Sequence, residues 1–290
     1  MGTAEDGNAF PTRSLTVMPR VRAMSPVHGG PLSGGIHPQD PSPLRFGPGV
    51  QDGHRATEAP TPIGYREEMH SARIYQQSQE RLVALAADLD ERQLATVVPA
   101  CPDWDVRQTY AHMAGLCVEV AQGLVRPPVD DEVTARQVAD RAGRSIQEIT
   151  TEWSKGVPAL LELMGARARA RYFLPALDVW HHENDVRGAL GMKARTEDSE
   201  QLADFVLSGL ARGWATDRPS VHVMAIDTGQ EWHLGEGADL TLRASAFELA
   251  RAMTGRRSII QIRAMDWSGD PTEVVSLLSS LPAPKKDLAI

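Results

Sequence analysis

The densest run of ionisable side chains in this sequence is Asp178-Val-Trp-His-His182-Glu-Asn-Asp185. On a helix, at about 100° per residue, Asp178, His182 and Asp185 fall within about 60° of one another on one face. A carboxylate and an imidazole at i, i+4 can hold one divalent ion, as the inward-facing ligands of helix bundles do. A third ligand must then come from a neighbouring helix. His112 is the economical candidate, because the three preceding helical segments offer otherwise only His70, at the start of the first. The same spacing also serves a plain surface ion pair, which adds about 0.2–0.5 kcal/mol to a helix. His181 and Asp185 make a second i, i+4 pair, so spacing does not choose which imidazole faces inward. Asp185, one turn beyond His182, could orient a ligand imidazole from behind, or stand as an exposed helix charge.

Such residues need helices to present them, and hydrophobic periodicity predicts four long ones. Ile74, Leu82, Leu85 and Leu89 share a face within a polar stretch from Arg66 to Arg92. Asp105 with Gln108 reads as an N-cap pair opening a second helix through about Val125, closed by Pro127-Pro128. A third runs from Asp131 through Val138, Ala142, Ile146, Ile149 and Trp153 to an interruption at Gly156 and Pro158. The fourth spans about Phe173 to Leu190, with Gly191 as C-cap residue. Together they predict a mainly α protein with an antiparallel four-helix bundle over 65–215, a fifth helix at about 198–214 leading out of it. After Pro219 the period changes to that of strands: Val221 to Ile226, Glu231 to Leu234 around Thr228-Gly229, then Leu240 and Leu242. Ser245 with Glu248 caps a helix to Met253, ended by Gly255. Ile259 to Ile262 reads as a further strand, and Asp270-Pro271 as a helix start. Residues 216–290 thus form a small α+β unit.

Composition bounds the function. Thirty-eight acidic residues against 30 basic ones leave a formal charge of −8, which argues against a nucleic-acid partner. Residues 1–65 hold 10 of the 20 prolines and 10 of the 24 glycines, and their five arginines cancel their five acids. Residues 1–64 therefore read as a disordered tail outside the fold; a translation start at Met24 or Met69 would account for it equally. No stretch of about 20 apolar residues suggests a membrane span, and no signal-peptide core is visible. With only two cysteines the expectation is a soluble cytoplasmic protein without disulfides. Cys101, between prolines, and Cys117, off the face of His112, both read as packing residues.

The stretch Val98-Pro-Ala-Cys-Pro-Asp-Trp-Asp-Val-Arg-Gln-Thr-Tyr-Ala-His112-Met-Ala-Gly115 resembles the opening of the second helix in mycothiol-dependent maleylpyruvate isomerase-like proteins, a family of DinB-like metal-binding bundles. Asp178, His182 and Asp185 resemble its second signature. Ala225-Ile-Asp-Thr-Gly229, Trp232 to Gly235, Leu249 to Arg257 and Trp267 to Asp270 resemble its second domain, so the likeness runs over about 65–288. The resemblance implies a metal triad of His112, Asp178 and His182, with zinc the first choice of divalent metal, and mycothiol as an external thiol. It departs at Asp178, where the family pattern commonly has Glu. The side chain is one methylene shorter, so an ion would sit closer to the helix or be held less firmly.

Three ligands leave coordination positions open, the catalytic arrangement. A thiol bound there is deprotonated, and the thiolate is the nucleophile. The resemblance implies an isomerase or S-transferase acting on a small electrophile. Arg256 and Arg257, just past the Ser245–Met253 helix, are candidates to clamp its carboxylates, or to sit favourably at a helix C-terminus. The competing reading is a non-catalytic metal- or small-molecule-binding protein of the same fold.

Overall fold

The computed structural model describes residues 63–165 and 172–290. The tail expected at 1–64 lies, but for its last two residues, outside them, as does the side chain of His70. Nine helices and six strands follow in order among the described residues. The long ones are α1 (Ile63–Ala87), α3 (Val106–Ala121), α5 (Ile146–Gly165) and α6 (Leu174–Ala189). α1 packs on α5 and α6, and α3 packs on the same two, so α1 and α3 take opposite corners. Tyr110 of α3 reaches back across the bundle, its hydroxyl donating to the Leu82 carbonyl at 2.8 Å. Trp153 Nε1 donates to Tyr75 Oη at 2.8 Å, joining α5 to α1 through the polar ends of two buried aromatics. None of these helices is long and apolar enough to cross a membrane.

Between α1 and α3 the chain makes a short turn of helix, α2 (Glu91–Leu94), and a small hairpin of β1 (Val97–Val98) with β2 (Cys101–Asp105). The sequence reading has only a proline-bearing connector here. Asp105 then caps α3 through the expected reciprocal pair: its carboxylate accepts from Gln108 N at 2.7 Å, and Gln108 Oε1 accepts from Asp105 N at 2.9 Å.

The single helix expected from Asp131 to Trp153 is two. α4 (Asp131–Ala139) ends before Gly143, whose φ of +78° no continuing helix adopts. α5 starts afresh from Ser145, whose hydroxyl accepts from Glu148 N while Ser145 N donates back to the Glu148 carboxylate. Conversely, α5 runs straight through Gly156 and Pro158. Gly156 is there for proximity: a Cβ would stand 3.1 Å from Val118 Cγ2 and 3.3 Å from Cys117 Sγ of α3. Pro158 lies on the exposed side, where water can take the carbonyl it frees.

α7 (Ser199–Arg212) packs on α8 (Ala246–Ala252) and on β4 (Glu231–Leu234). With β3 (Val221–Ala225), β5 (Leu240–Ala244) and β6 (Asp266–Trp267) the sheet order is β4-β3-β5-β6; β3 and β5 are parallel and the other pairings antiparallel. Val221, Val223, Trp232, Leu234 and Leu242 turn to the core. Two expectations fail here. Ile259–Arg263 is a helical turn, α9, with Ser258 and Gln261 capping it reciprocally. Only Ile262 of its first four residues is buried, which suits a turn of helix and not an alternating strand. Asp270 starts no helix: its carboxylate accepts from Thr272 N and Oγ1, closing a turn.

Candidate metal centre

α6 is buried over almost its whole circumference although half of it is polar. A polar group withdrawn from water needs a partner, and the partners divide the helix by face. Glu183 takes a bidentate pair from Arg81 of α1, both contacts 2.7 Å. Asn184 holds the chain after α6, accepting from Arg195 N and donating to Arg195 O. His181 and Asp185 turn to α8. The face carrying Asp178 and His182 turns to α3.

On that face three donors converge. Asp178 places one carboxylate oxygen 3.6 Å from His112 Nε2 and the other 3.5 Å from His182 Nε2. One ligand atom from each of the three residues lies within 4.8 Å of the others. Donors each about 2.1 Å from a tetrahedral ion stand roughly 3.4 Å apart, so the set suits a single cation, and the shorter Asp178 reaches both imidazoles. The two imidazoles meet edge to face at 5.3 Å, and Trp104 of β2 lies against both, at 5.0 and 6.2 Å. His112 and His182 are almost fully buried, whereas Asp178 keeps 29% of its side chain exposed, which leaves an approach from one side.

The imidazole of His112 is held in one tautomer. Gln137 of α4 donates through Nε2 to Glu119 at 2.9 Å, so its Oε1 must accept, and it does so from His112 Nδ1 at 3.0 Å. Nδ1 is thereby committed as a donor, which leaves Nε2, toward Asp178, as the nitrogen available to an ion. Glu119 is fixed in turn by the two Arg136 nitrogens at 2.9 and 3.0 Å. Neither Gln137 nor Glu119 stands out in sequence; the one available hint is Glu119 seven residues after His112, on the same helical face.

Gly115 lets this support approach. A Cβ there would stand 2.8 Å from Gln137 Cβ and 2.8 Å from Arg141 Nη1. Gly115→Ala should therefore push α4 away, lower stability by about 1–3 kcal/mol, and abolish the protected Nδ1–H of His112. Chemical denaturation and the imidazole NMR signals of this variant read both effects; an unchanged midpoint and signal would contradict this role for Gly115.

His181, the rival of His182, is committed elsewhere. Arg251 of α8 can only donate, so His181 Nδ1, 3.2 Å from Arg251 Nη1, is an acceptor. Its Nε2–H then donates to Thr254 Oγ1 at 2.9 Å, and that hydroxyl passes its own proton to the Ala250 carbonyl at 2.8 Å. Burial, with the Arg256 and Arg251 charges, holds the His181 pKa well below its ordinary value, and the ring is neutral. His182 behaves oppositely. Burial opposes its charge, but Asp178, Asp185 and Cys101 outweigh it and raise the pKa well above the ordinary value. For Asp178, too, burial opposes ionisation, and His182 and His112 overcome it, holding the carboxylate ionised.

Asp185 is fully buried beneath His182, with one oxygen 3.3 Å from His182 Nδ1. Its other oxygen accepts from Arg251 at 2.7 Å, while Arg256 approaches the first oxygen to 3.4 Å. The two sequence-selected arginines part company. Arg257 is taken by Glu248 in a bidentate pair of 2.6 and 2.7 Å, a structural tie at the end of α8. Arg256 lies beside Asp185, with its buried Nε unpartnered. Cys101, on β2, packs against the core as expected, and its sulfur also lies within 4.8 Å of the ligand atoms of His182 and Asp185. Burial pushes the Cys117 thiol up to about 11, so it stays protonated in the α3–α5 seam.

Residues 75–192 match the family model of the mycothiol maleylpyruvate isomerase N-terminal domain. The matched stretch is similar to that domain over most of the helical unit. The match begins within α1 and ends just after α6, so this N-terminal domain contains His112, Asp178 and His182 together with Trp104, Glu119 and Gln137. Two solved structures are similar to the chain: a mycothiol-dependent maleylpyruvate isomerase, at 13% identity and a TM-score of 0.43, and a point mutant of it, at 11% and 0.44. Each comparison covers 65% of this chain and 89% of the other. No curated protein matches the chain significantly.

Proposed function

We propose that this chain is a metal-dependent enzyme that uses mycothiol against a small electrophile, as an isomerase or an S-transferase. The observation that carries the reading is the convergence of His112 Nε2, His182 Nε2 and an Asp178 oxygen, with His112 Nδ1 held by Gln137, inside an isomerase-type domain. Two imidazoles and a carboxylate with open positions suit zinc. A divalent cation bound there acidifies a thiol entering an open position and so supplies a thiolate at neutral pH.

The residues around the site have separable tasks. Trp104 shields the imidazoles from water, and the exposed edge of Asp178 marks the way in. Arg256, within electrostatic reach of Asp178 and with an unpartnered Nε, is the candidate to pair with a substrate carboxylate. The thiol sulfur adds to an activated C=C, the resulting single bond rotates, and elimination returns the thiol; an S-transferase releases the adduct instead.

The test is turnover of maleylpyruvate, and of related unsaturated keto acids, by zinc-loaded protein with and without mycothiol. Thiol-dependent loss of the cis-enone absorbance supports the reading. Stoichiometric zinc with no thiol-dependent change on any substrate would point to the non-catalytic binding protein instead. Gln137→Leu should leave the fold intact yet weaken zinc binding about 10–100-fold, since the His112 ring loses the partner that orients it. Competition with a chromophoric chelator measures this, and wild-type affinity in the variant would remove Gln137 from the account.

A further inference from the structure

Two of the five histidines whose side chains are described lie on the solvent face of the sheet. His222 of β3 and His233 of β4 are direct cross-strand partners. Their rings stack at 4.5 Å with an interplanar angle of 2°. Glu231, two residues before His233 and on the same face, brings a carboxylate oxygen to 3.0 Å from His222 Nε2. One ligand atom from each of the three lies within 4.8 Å of the other two.

We propose that His222, Glu231 and His233 form a second, surface site for a divalent transition-metal ion of the zinc class, independent of the bundle triad and of the isomerase reading. The donor set is two imidazoles and a carboxylate, which such ions favour over calcium or magnesium. The pleat supplies the placement: directly opposite residues and those two along a strand share one face of a sheet. Hydrogen bonding within β3 and β4 fixes the backbone under all three, so binding needs only side-chain adjustment. The rings lie parallel and do not yet converge, and exposed His233 closes the site by turning about its side-chain torsions. On the neighbouring strand Arg243 pairs with Asp266 at 3.9 Å. An ion held here clips β3 to β4 and stabilises the hairpin by mass action.

Equilibrium dialysis of the full chain against buffered free zinc, with metal counted by mass spectrometry, tests the proposal. Wild type should bind one zinc equivalent more than His233→Ala or His222→Ala, and Glu231→Gln should weaken that equivalent at least several-fold. The additional equivalent should persist in His182→Ala. Zinc should also shift the ring resonances of His222 and His233 in wild type, and circular dichroism should show each variant folded. Equal zinc counts in wild type and folded His233→Ala, or unshifted His222 and His233 resonances at saturating zinc, would overturn the site.

Discussion

Replacing His182 by alanine should strip the bundle of its metal while leaving the protein folded. The loss in zinc affinity should exceed the roughly 10–100-fold that follows from removing a supporting partner, because a ligand itself is gone and Asp178 and His112 alone remain. Thiol-dependent turnover should fall with it to the level of zinc-free protein. The informative control is His181→Ala, one residue away. His181 is tied to Thr254 and Arg251 at the seam with α8, so this variant should lose stability yet retain zinc. The reverse outcome, metal kept by His182→Ala and lost by His181→Ala, would mean that α6 presents its other face to the ion.

Arg251→Met should cost about 3–5 kcal/mol of stability, the range for breaking a fully buried ion pair from one side. Both Arg251 and Asp185 are wholly inaccessible. The guanidinium also binds the carbonyls of His181 and Ile290, so one side chain ties α6, α8 and the end of the described chain together. Burial opposes the charge on Asp185, but Arg251 and then Arg256 outweigh it and hold its pKa well below the ordinary carboxylate value. Its contribution is therefore complete above the unfolded value of about 4 and is lost as pH falls through the lower folded value. The deficit of Arg251→Met should be largest at neutral pH and narrow below about pH 4. Urea denaturation across that range measures it, and a deficit that does not change with pH would show that packing, not the ion pair, is what the arginine provides.

The parts of this fold that were legible in sequence are those governed by local rules. Asp105 with Gln108 and Ser245 with Glu248 announce helix starts because the cap is made within four residues. Ser258 with Gln261 carries the same signal, masked by the strand-like pair Ile259-Ile260. Periodicity joined α4 to α5 because Ala142 and Ile146 keep the phase across a break that only the left-handed Gly143 makes. Gly156 is the opposite case: a glycine required by the close approach of α3 looks in sequence like a helix breaker.

The candidate site divides in the same manner. Asp178 and His182 are one turn apart, and a pattern along one helix can find them. Gln137 reaches His112 across 25 residues and a chain reversal, and no spacing rule connects them. Choosing between His181 and His182 required knowing that α8 covers one face of α6, a tertiary fact. Arg251 reads as an ordinary surface residue of a short helix; its complete burial follows from Asp185, which lies 66 residues away.

The central claim is that His112, Asp178 and His182 hold one divalent cation. Anomalous scattering at the zinc edge, from crystals of the full chain loaded with one equivalent of zinc, tests it most directly. The account predicts a peak in the bundle about 2.0–2.2 Å from His112 Nε2, His182 Nε2 and an Asp178 oxygen, lost in His182→Ala. A loaded protein with no peak among these three residues, or with the bundle's zinc on His181, would contradict it.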